Sequence, residues 1–433
     1  MEDQILSFQV LFSFLLFLLV LFKVSKKLYK HDSNPPPGPR KLPFFGNILQ
    51  LAGDVPHRRL TALAKTYGPV MGIKLGQIPF LVVSSPETAK EVMKIQDPVF
   101  AERALLVAVE IVLYNRNDIV FGLYGDQWRQ MRKICTLELL SAKRVQSFRS
   151  VREEEVADLV KFLGSKEGSP VNLTHTLFAL ANSIIARNTV GHKSKNQEAL
   201  LRLIDDIIES IGGVGIADIF PSLKWLPSVQ RERARIRKLH CETDEILEGI
   251  LEEHKANRQA AAFKNDDGSQ ADNLLDVLLD LQQSGNLDVP LTDVAIKAAI
   301  IVSVYYQRRP RKKVSGYDVY PGTRVFINAW AIGRDPKVWS EAEKFKPERF
   351  IDSAIDYRGT NFELIPFGAG KRICPGMTLG MANLEIFLAN LLYQFDWKFP
   401  KGVTAEKLDM NEAFGAAGKR KVDLELVPIP YRP

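Results

Sequence analysis

The 433-residue sequence has only three cysteines, Cys135, Cys241 and Cys374, odd in number and far apart. That excludes the disulfide framework of a small secreted domain and fits a reducing compartment around the folded part. Its six histidines make neither a His-Glu-x-x-His helix nor a Cys/His zinc spacing, so a structural or hydrolytic zinc site has no support. Repeats of the solenoid kind are absent. Positive charge is also sparse once it is located. The formal charge is +7, yet four lysines (Lys23, Lys26, Lys27, Lys30) follow the first apolar run and five basic residues (Arg308, Arg309, Arg311, Lys312, Lys313) share one short stretch. Setting those nine aside leaves −2 on the remainder, which argues against a general nucleic-acid surface. With 46% apolar and 25% charged residues, the chain is globular with a sizeable core, which excludes disordered and fibrous classes.

What is present begins with an 18-residue run from Ile5 to Phe22 that has no charge and only Ser7, Gln9 and Ser13 as polar interruptions. As a helix it extends about 27 Å, enough to cross a thin bilayer. A cleaved signal peptide needs basic residues before the run and small residues at a cleavage site after it. Here Glu2 and Asp3 precede it and the lysines follow, so residues 1–30 are read as a retained single-pass anchor with the remainder in the cytosol. Residues 31–56 form a linker in which Pro35, Pro36, Pro37 and Pro39 favour an extended, semi-rigid hinge. Residues 57–433 form the body.

Within the body, the pattern predicts helices over 57–67, 86–95, 127–140, 233–254, 272–282 and 292–304, and a hairpin from 70–75 and 80–83 around Gly76. Residues 216–226 read as an apolar loop, either packed on the body or dipping into a membrane surface. The expected fold class is mainly α with minor β-sheets.

The chemistry sits in residues 366–376, followed by a near-continuous apolar helix to Trp397. A lone cysteine is more often a small buried hydrophobe than a ligand. Here Gly368 and Gly370 permit backbone turns, Pro375 suits a first helical turn, and Cys374 lies beside Lys371 and Arg372. A helix start and neighbouring cations favour a thiolate. A phosphate-binding loop fails, because Arg372 follows Lys371 and Ile365 stands where glycine is required. A cysteine hydrolase lacks an evident histidine base. A thiolate offered from a glycine loop to a flat apolar partner is what axial ligation of haem iron requires.

Phe367, Gly370, Arg372, Cys374 and Gly376 together resemble the cysteine signature of the cytochrome P-450 family. The proline hinge, Trp128-x-x-x-Arg132 and the Phe345–Phe350 motif follow in the order of plant members, and the wording is most similar to plant family 71, subfamily D. The resemblance implies the fold of that family and a haem-thiolate monooxygenase of the endoplasmic reticulum membrane. It implies haem b, molecular oxygen, electrons from NADPH through a reductase, and an apolar substrate such as a terpenoid or alkaloid. Cys374 would be the axial ligand of the iron. Trp128, Arg132 and Arg372 would hold the propionates; capping of a surface helix is the alternative for Trp128 and Arg132. Phe367 would shield the sulfur, Gly370 and Gly376 would let backbone approach the haem, and Arg349 would join a buried network beneath it. Arg129, Lys133 and Lys371 would face the reductase, and residues 101–123 and 410–417 would touch substrate.

The sequence departs from the family after Val302. The distal helix runs from Leu291 and then passes into Ser303 to Lys313, with neither the acid-alcohol pair nor the Glu-x-x-Arg motif, so no catalytic proton-delivery residue is retained. The expected fold is therefore incomplete, its distal helix truncated by a deletion near 302–314. Arg349 would lose a carboxylate partner, which for a buried pair costs about 3–5 kcal/mol. The alternative to an active enzyme is a catalytically inactive splice or gene-model variant.

Overall fold

The structure, a computed structural model, describes residues 17, 34–191, 197–212, 215–263, 273–300, 312–413, 415 and 418–432. The apolar run read as an anchor, apart from Phe17, and the junction over 301–311 lie outside the described residues. Among the described residues no helix is long and apolar enough to cross a membrane.

The longer helices are α1 (Pro56–Tyr67), α2 (Asp126–Glu138), α3 (Arg149–Ser165), α4 (Leu173–Val190), α5 (Gln197–Gly212), α6 (Pro227–Phe263), α7 (Leu274–Ser284), α8 (Asp293–Ile300) and α9 (Met377–Gln394). Their ends follow local chemistry. Pro56 opens α1 and Gly68 closes it at φ +95°, Asn172 accepts the His175 N–H to cap α4, and Asn273 caps α7 in the same way. Helix α6 is longer at both ends than the periodicity indicates, and its N-terminal extension buries Val229.

The strands are few and short. β1 (Val70–Leu75) and β2 (Ile78–Val83) form the expected antiparallel hairpin, and β6 (Arg324–Ile327) joins β2 in parallel. A second sheet orders β3 (Val171–Asn172), β10 (Glu425–Pro430) and β7 (Phe395–Lys398). Two hairpins complete the set among the described residues: β4 (Lys312–Val314) with β5 (Tyr317–Val319), and β8 (Glu412–Ala413) with β9 (Lys419–Arg420). The proline hinge is laid along the first sheet. Gly72 donates to the Pro37 carbonyl at 2.7 Å, and a Cβ on Gly38 would meet the Gly72 carbonyl oxygen at 2.1 Å.

The largest core joins residues 106–121 to α2, α5, α6, α7 and α8, with Phe121, Leu113, Leu247 and Ile296 fully buried. A separate core packs α9 onto α3 and α4 through Phe387, Leu391, Val156, Leu159 and Ile184. Lys297 fastens α8 to α6, donating to Asp244 at 2.6 Å and Glu248 at 2.7 Å. Residues 216–226 are not an open loop. A short helix, Ile216–Ile219, and a 3₁₀ turn, Pro221–Leu223, dock on the β1–β2 turn, where Gln77 donates to the Ile219 carbonyl at 2.7 Å and Phe220 stacks on Phe44.

Candidate functional site

The cysteine loop is built by glycine backbone and closed by hydrogen bonds. Gly368 and Gly370 both take positive φ, +71° and +67°, and residues 370–372 form one 3₁₀ turn. The Cys374 N–H donates to the Phe367 carbonyl at 2.9 Å, which brings the two ends of the loop together. Helix α9 starts at Met377 with Gly376 as its cap, so Cys374 lies two residues before the cap and Pro375 precedes the first turn instead of entering it. The sulfur-bearing side chain is half-buried, and a Cβ on Gly376 would still be 3.9 Å from Cys374 Sγ.

Gly370 makes a close backbone contact of its own. A Cβ there would lie 1.9 Å from the Met93 carbonyl oxygen and 2.7 Å from Asp97 Oδ2, so its close approach is to the turn that follows Pro86–Lys90. Asp97 completes this joint by accepting the Lys371 N–H at 2.7 Å. Burial raises the Asp97 carboxyl above its ordinary range, and the Lys371 N–H with the Lys371 and Arg372 charges draws it partly back.

Trp128, Arg132 and Arg372 come together beside the loop. Arg372 is 4% exposed, and its guanidinium carbon lies 4.0 Å from the centre of the Trp128 ring, with Arg132 at 5.3 Å. Trp128 is 5% exposed, which removes the reading of a surface helix cap. Their donors meet backbone. Arg372 donates to the carbonyls of Ala101 at 2.7 Å, Val120 at 3.4 Å and Gly122 at 2.6 Å. Trp128 Nε1 donates to the Ile119 carbonyl at 2.7 Å, and Arg132 to the Ile373 carbonyl. Phe367 is half-buried, its ring 5.9 Å from that of Tyr357 and facing Gly380 on the first turn of α9.

In donor type this cluster fits a haem. A half-exposed sulfur at a helix start suits the iron, and two guanidinium groups with an indole N–H suit two carboxylates. Seating carboxylates there requires exchange of the carbonyl bonds just described. Among the described residues, an open groove of about 490 Å³ is lined by Glu154, Asp158 and Arg187, away from the loop, and a void of about 20 Å³ lies against it, lined by Met93, Asp97 and Ala369.

Other expected residues separate. Arg349 is not in a buried network. It is half-exposed and donates to the carbonyls of Ser340, Glu341, Lys344 and Lys346, all within nine residues, so the expected cost of a stranded buried charge does not arise. Arg129, Lys133 and Lys371 are exposed, but Arg129 is paired with Asp126 of its own helix. Tyr124 bridges Lys371 and Arg129, and the Lys371 hydrogen bond in the first place holds its phenol below the usual range. Of residues 101–123, those from Leu106 to Phe121 supply the largest core while Leu105 and Leu123 are exposed, whereas Glu412 of the 410–417 segment bonds His57 of α1 at 2.6 Å; residues 414, 416 and 417 lie outside the described set.

Sequence reasoning missed Asp118. Its Oδ1 accepts the N–H groups of Val120 and Phe121, each at 2.7 Å, and it is 2% exposed. An aspartate four residues before Gly122 is the signal of a side-chain-closed turn. Asp97, which joins the loop to the preceding helix, had no comparable signal.

The fold and site define a mainly helical protein with a cysteine loop set before its last long helix. Residues 36–304 and 311–422 match the family described as Cytochrome P450, and the chain belongs to that family, whose members are monooxygenases. It is 52% identical to Cytochrome P450 726A27 of Euphorbia lathyris, with 100% of this chain and 99% of that protein covered. It is 40% identical to premnaspirodiene oxygenase of Hyoscyamus muticus (99% of each chain) and 41% to Cytochrome P450 71D11 of Lotus japonicus (96% and 99%). The first alignment spans 503 positions against 433 residues here, so about 70 positions have no residue in this chain. The family match breaks between 304 and 311, where the sequence departs from the family pattern.

Proposed function

We propose that this chain is a haem-thiolate monooxygenase of apolar specialised metabolites, terpenoids or alkaloids, with Cys374 as the sulfur ligand of haem b. The observation that carries this reading is the loop itself: Cys374 is held by the Phe367 carbonyl, half-exposed, and flanked by the buried Arg372 and Trp128. When bound, the haem supplies activation of molecular oxygen and insertion of one oxygen atom into the substrate. The protein's part is to present one sulfur, to balance two carboxylates with Arg132 and Arg372, and to exclude water on the cysteine side. The relative named premnaspirodiene oxygenase supports the reaction class. Lys371 and Lys133, exposed beside the loop, suit the acidic surface of an NADPH-dependent reductase. Attachment to the endoplasmic reticulum by residues 1–30 belongs to the same reading. Exposed Phe44, Phe45, Leu49 and Trp225 around the β1–β2 turn, near the hinge, suit contact with the bilayer surface.

A second reading has its own observation. About 70 positions of the Euphorbia relative are missing, and the acid-alcohol pair and Glu-x-x-Arg motif are missing with them. In that reading the chain keeps the cysteine loop but does not turn over. The test is the carbon-monoxide difference spectrum of the reduced, membrane-expressed 433-residue chain. A red-shifted thiolate band that disappears in Cys374→Ala supports the monooxygenase reading. No band in the parent chain, with a band on restoring the missing positions from the Euphorbia relative, supports the second.

A further inference from the structure

The cation cluster beside Cys374 is received by one turn. Ile119, Val120 and Gly122 offer their carbonyls to Trp128 Nε1 and to two nitrogens of Arg372. Between them Phe121 offers its own to Arg116 at 2.9 Å. Four successive carbonyls thus point at donors from outside the turn, a backbone conformation that needs a cause. Asp118 supplies it. One carboxylate oxygen takes the Val120 and Phe121 N–H groups at 2.7 Å each, and the Asp118 carbonyl accepts the Gly122 N–H at 3.1 Å. Gly122 shows how tight the turn is, since a Cβ there would lie 2.3 Å from the Asp118 carbonyl oxygen and 3.1 Å from Trp128 Cδ1.

We propose that Asp118 is the positioning residue of the cluster: by folding residues 118–122 into a carbonyl-lined turn, it fixes the Trp128 indole and the Arg372 guanidinium beside Cys374. Its acceptor geometry performs the task. The remaining oxygen, Oδ2, is buried without a hydrogen bond, so asparagine reproduces the turn and alanine does not. What the cluster is for rests on the haem reading, whereas its placement does not.

The test uses the full 433-residue chain in detergent, without added haem. Emission of Trp128 is isolated by comparing each variant with the same variant carrying Trp128→Phe, and its exposure is read by acrylamide quenching. Asp118→Ala is expected to shift Trp128 emission to the red and raise its quenching severalfold, while Asp118→Asn stays at the parent values. A merely stabilising residue would lower the urea midpoint in Asp118→Ala and leave Trp128 emission from the folded chain unchanged, which overturns the proposal. So does an Asp118→Asn chain that behaves like Asp118→Ala. If Asp118→Ala does not fold, Asp118→Ser, which keeps one acceptor, is expected to give intermediate quenching; parent-level quenching in that variant overturns the proposal too. Because no haem enters the measurement, a missing carbon-monoxide band leaves this outcome untouched.

Discussion

Two arginines with the same kind of partner sit in opposite circumstances. Arg372 is buried, and the carbonyls it meets lie 250 to 271 residues away in the chain. Arg349 is half-exposed, and every carbonyl it meets lies within nine residues. Two apolar side chains of its segment are left in water, Phe345 at 96% exposed and Ile351 at 70%, although Trp339, whose ring centre lies 6.0 Å from the Arg349 guanidinium carbon, is buried. The contrast extends to α9, where Phe387 and Leu391 are buried against α3 and α4 while Leu384, Leu388 and Leu392, a stripe of four-residue spacing, are exposed. The difference follows the break near 305–310. The cysteine loop depends on residues 93–132, all before the break, so it keeps its partners. The 345–351 segment finds only local ones, in a chain that lacks about 70 positions of its relative. Long-range contacts with residues before the break hold the cysteine loop, whereas the 345–351 segment relies on local ones.

The strongest way to break the intact side is Gly370→Ala. A positive φ and a Cβ 1.9 Å from a backbone oxygen cannot be relieved by a side-chain rotation, so a loss of about 3 kcal/mol or more is expected in urea unfolding. Gly376→Ala is the control. Its φ is −85° and the nearest atoms to a new Cβ lie at 3.9 and 4.0 Å, so stability should change by about 1 kcal/mol or less. If Gly370→Ala proves as mild as Gly376→Ala, the joint to Met93 and Asp97 does not hold the loop.

The two arginines give the next comparison. Arg372→Gln strands buried carbonyls and removes a cation from the face of Trp128, for an expected loss of about 3–5 kcal/mol. Arg349→Gln exposes its carbonyls to water, and about 1 kcal/mol is expected. Thermal or urea unfolding of both variants in parallel decides it, and equal losses would erase the distinction between the two sides.

Much of this was legible in the sequence, for reasons of range. The hairpin around Gly76, the helices over 56–67 and 126–138, and the cysteine loop with its glycines are written in spacing and turn chemistry. The break after Val302 was legible because a motif order was interrupted. The receivers of Arg372 were not, since Ala101, Val120 and Gly122 contribute backbone oxygens, and a carbonyl carries no residue-type signal. Arg349 misled for the converse reason. A carboxylate partner is missing from the sequence, but a guanidinium with five N–H groups can replace it with nearby carbonyls, and only the fold reveals that it does.

The last comparison concerns charge inside the turn on the intact side. Burial raises the Asp118 carboxyl to about 6 from an ordinary 3.8, against the pull of the Phe121 and Val120 N–H groups and the Arg372 charge. The folded chain therefore holds this proton more tightly than the unfolded chain does. Stability from this group is greatest below 3.8, falls as pH rises toward about 6, and is flat above. The difference amounts to on the order of 3 kcal/mol at most. Burial also raises Asp97 and Asp218 above 3.8, so the difference between parent and Asp118→Asn isolates this one. Urea unfolding free energies measured across that window should show the parent losing ground to Asp118→Asn as pH rises. Arg372→Gln should enlarge this loss and carry it to higher pH, because it removes a charge that favours the ionised form. Parallel curves for parent and Asp118→Asn would mean that the carboxyl is solvated in the folded chain and that the turn around Arg372 is open to water, which would erase the contrast with the exposed surroundings of Arg349.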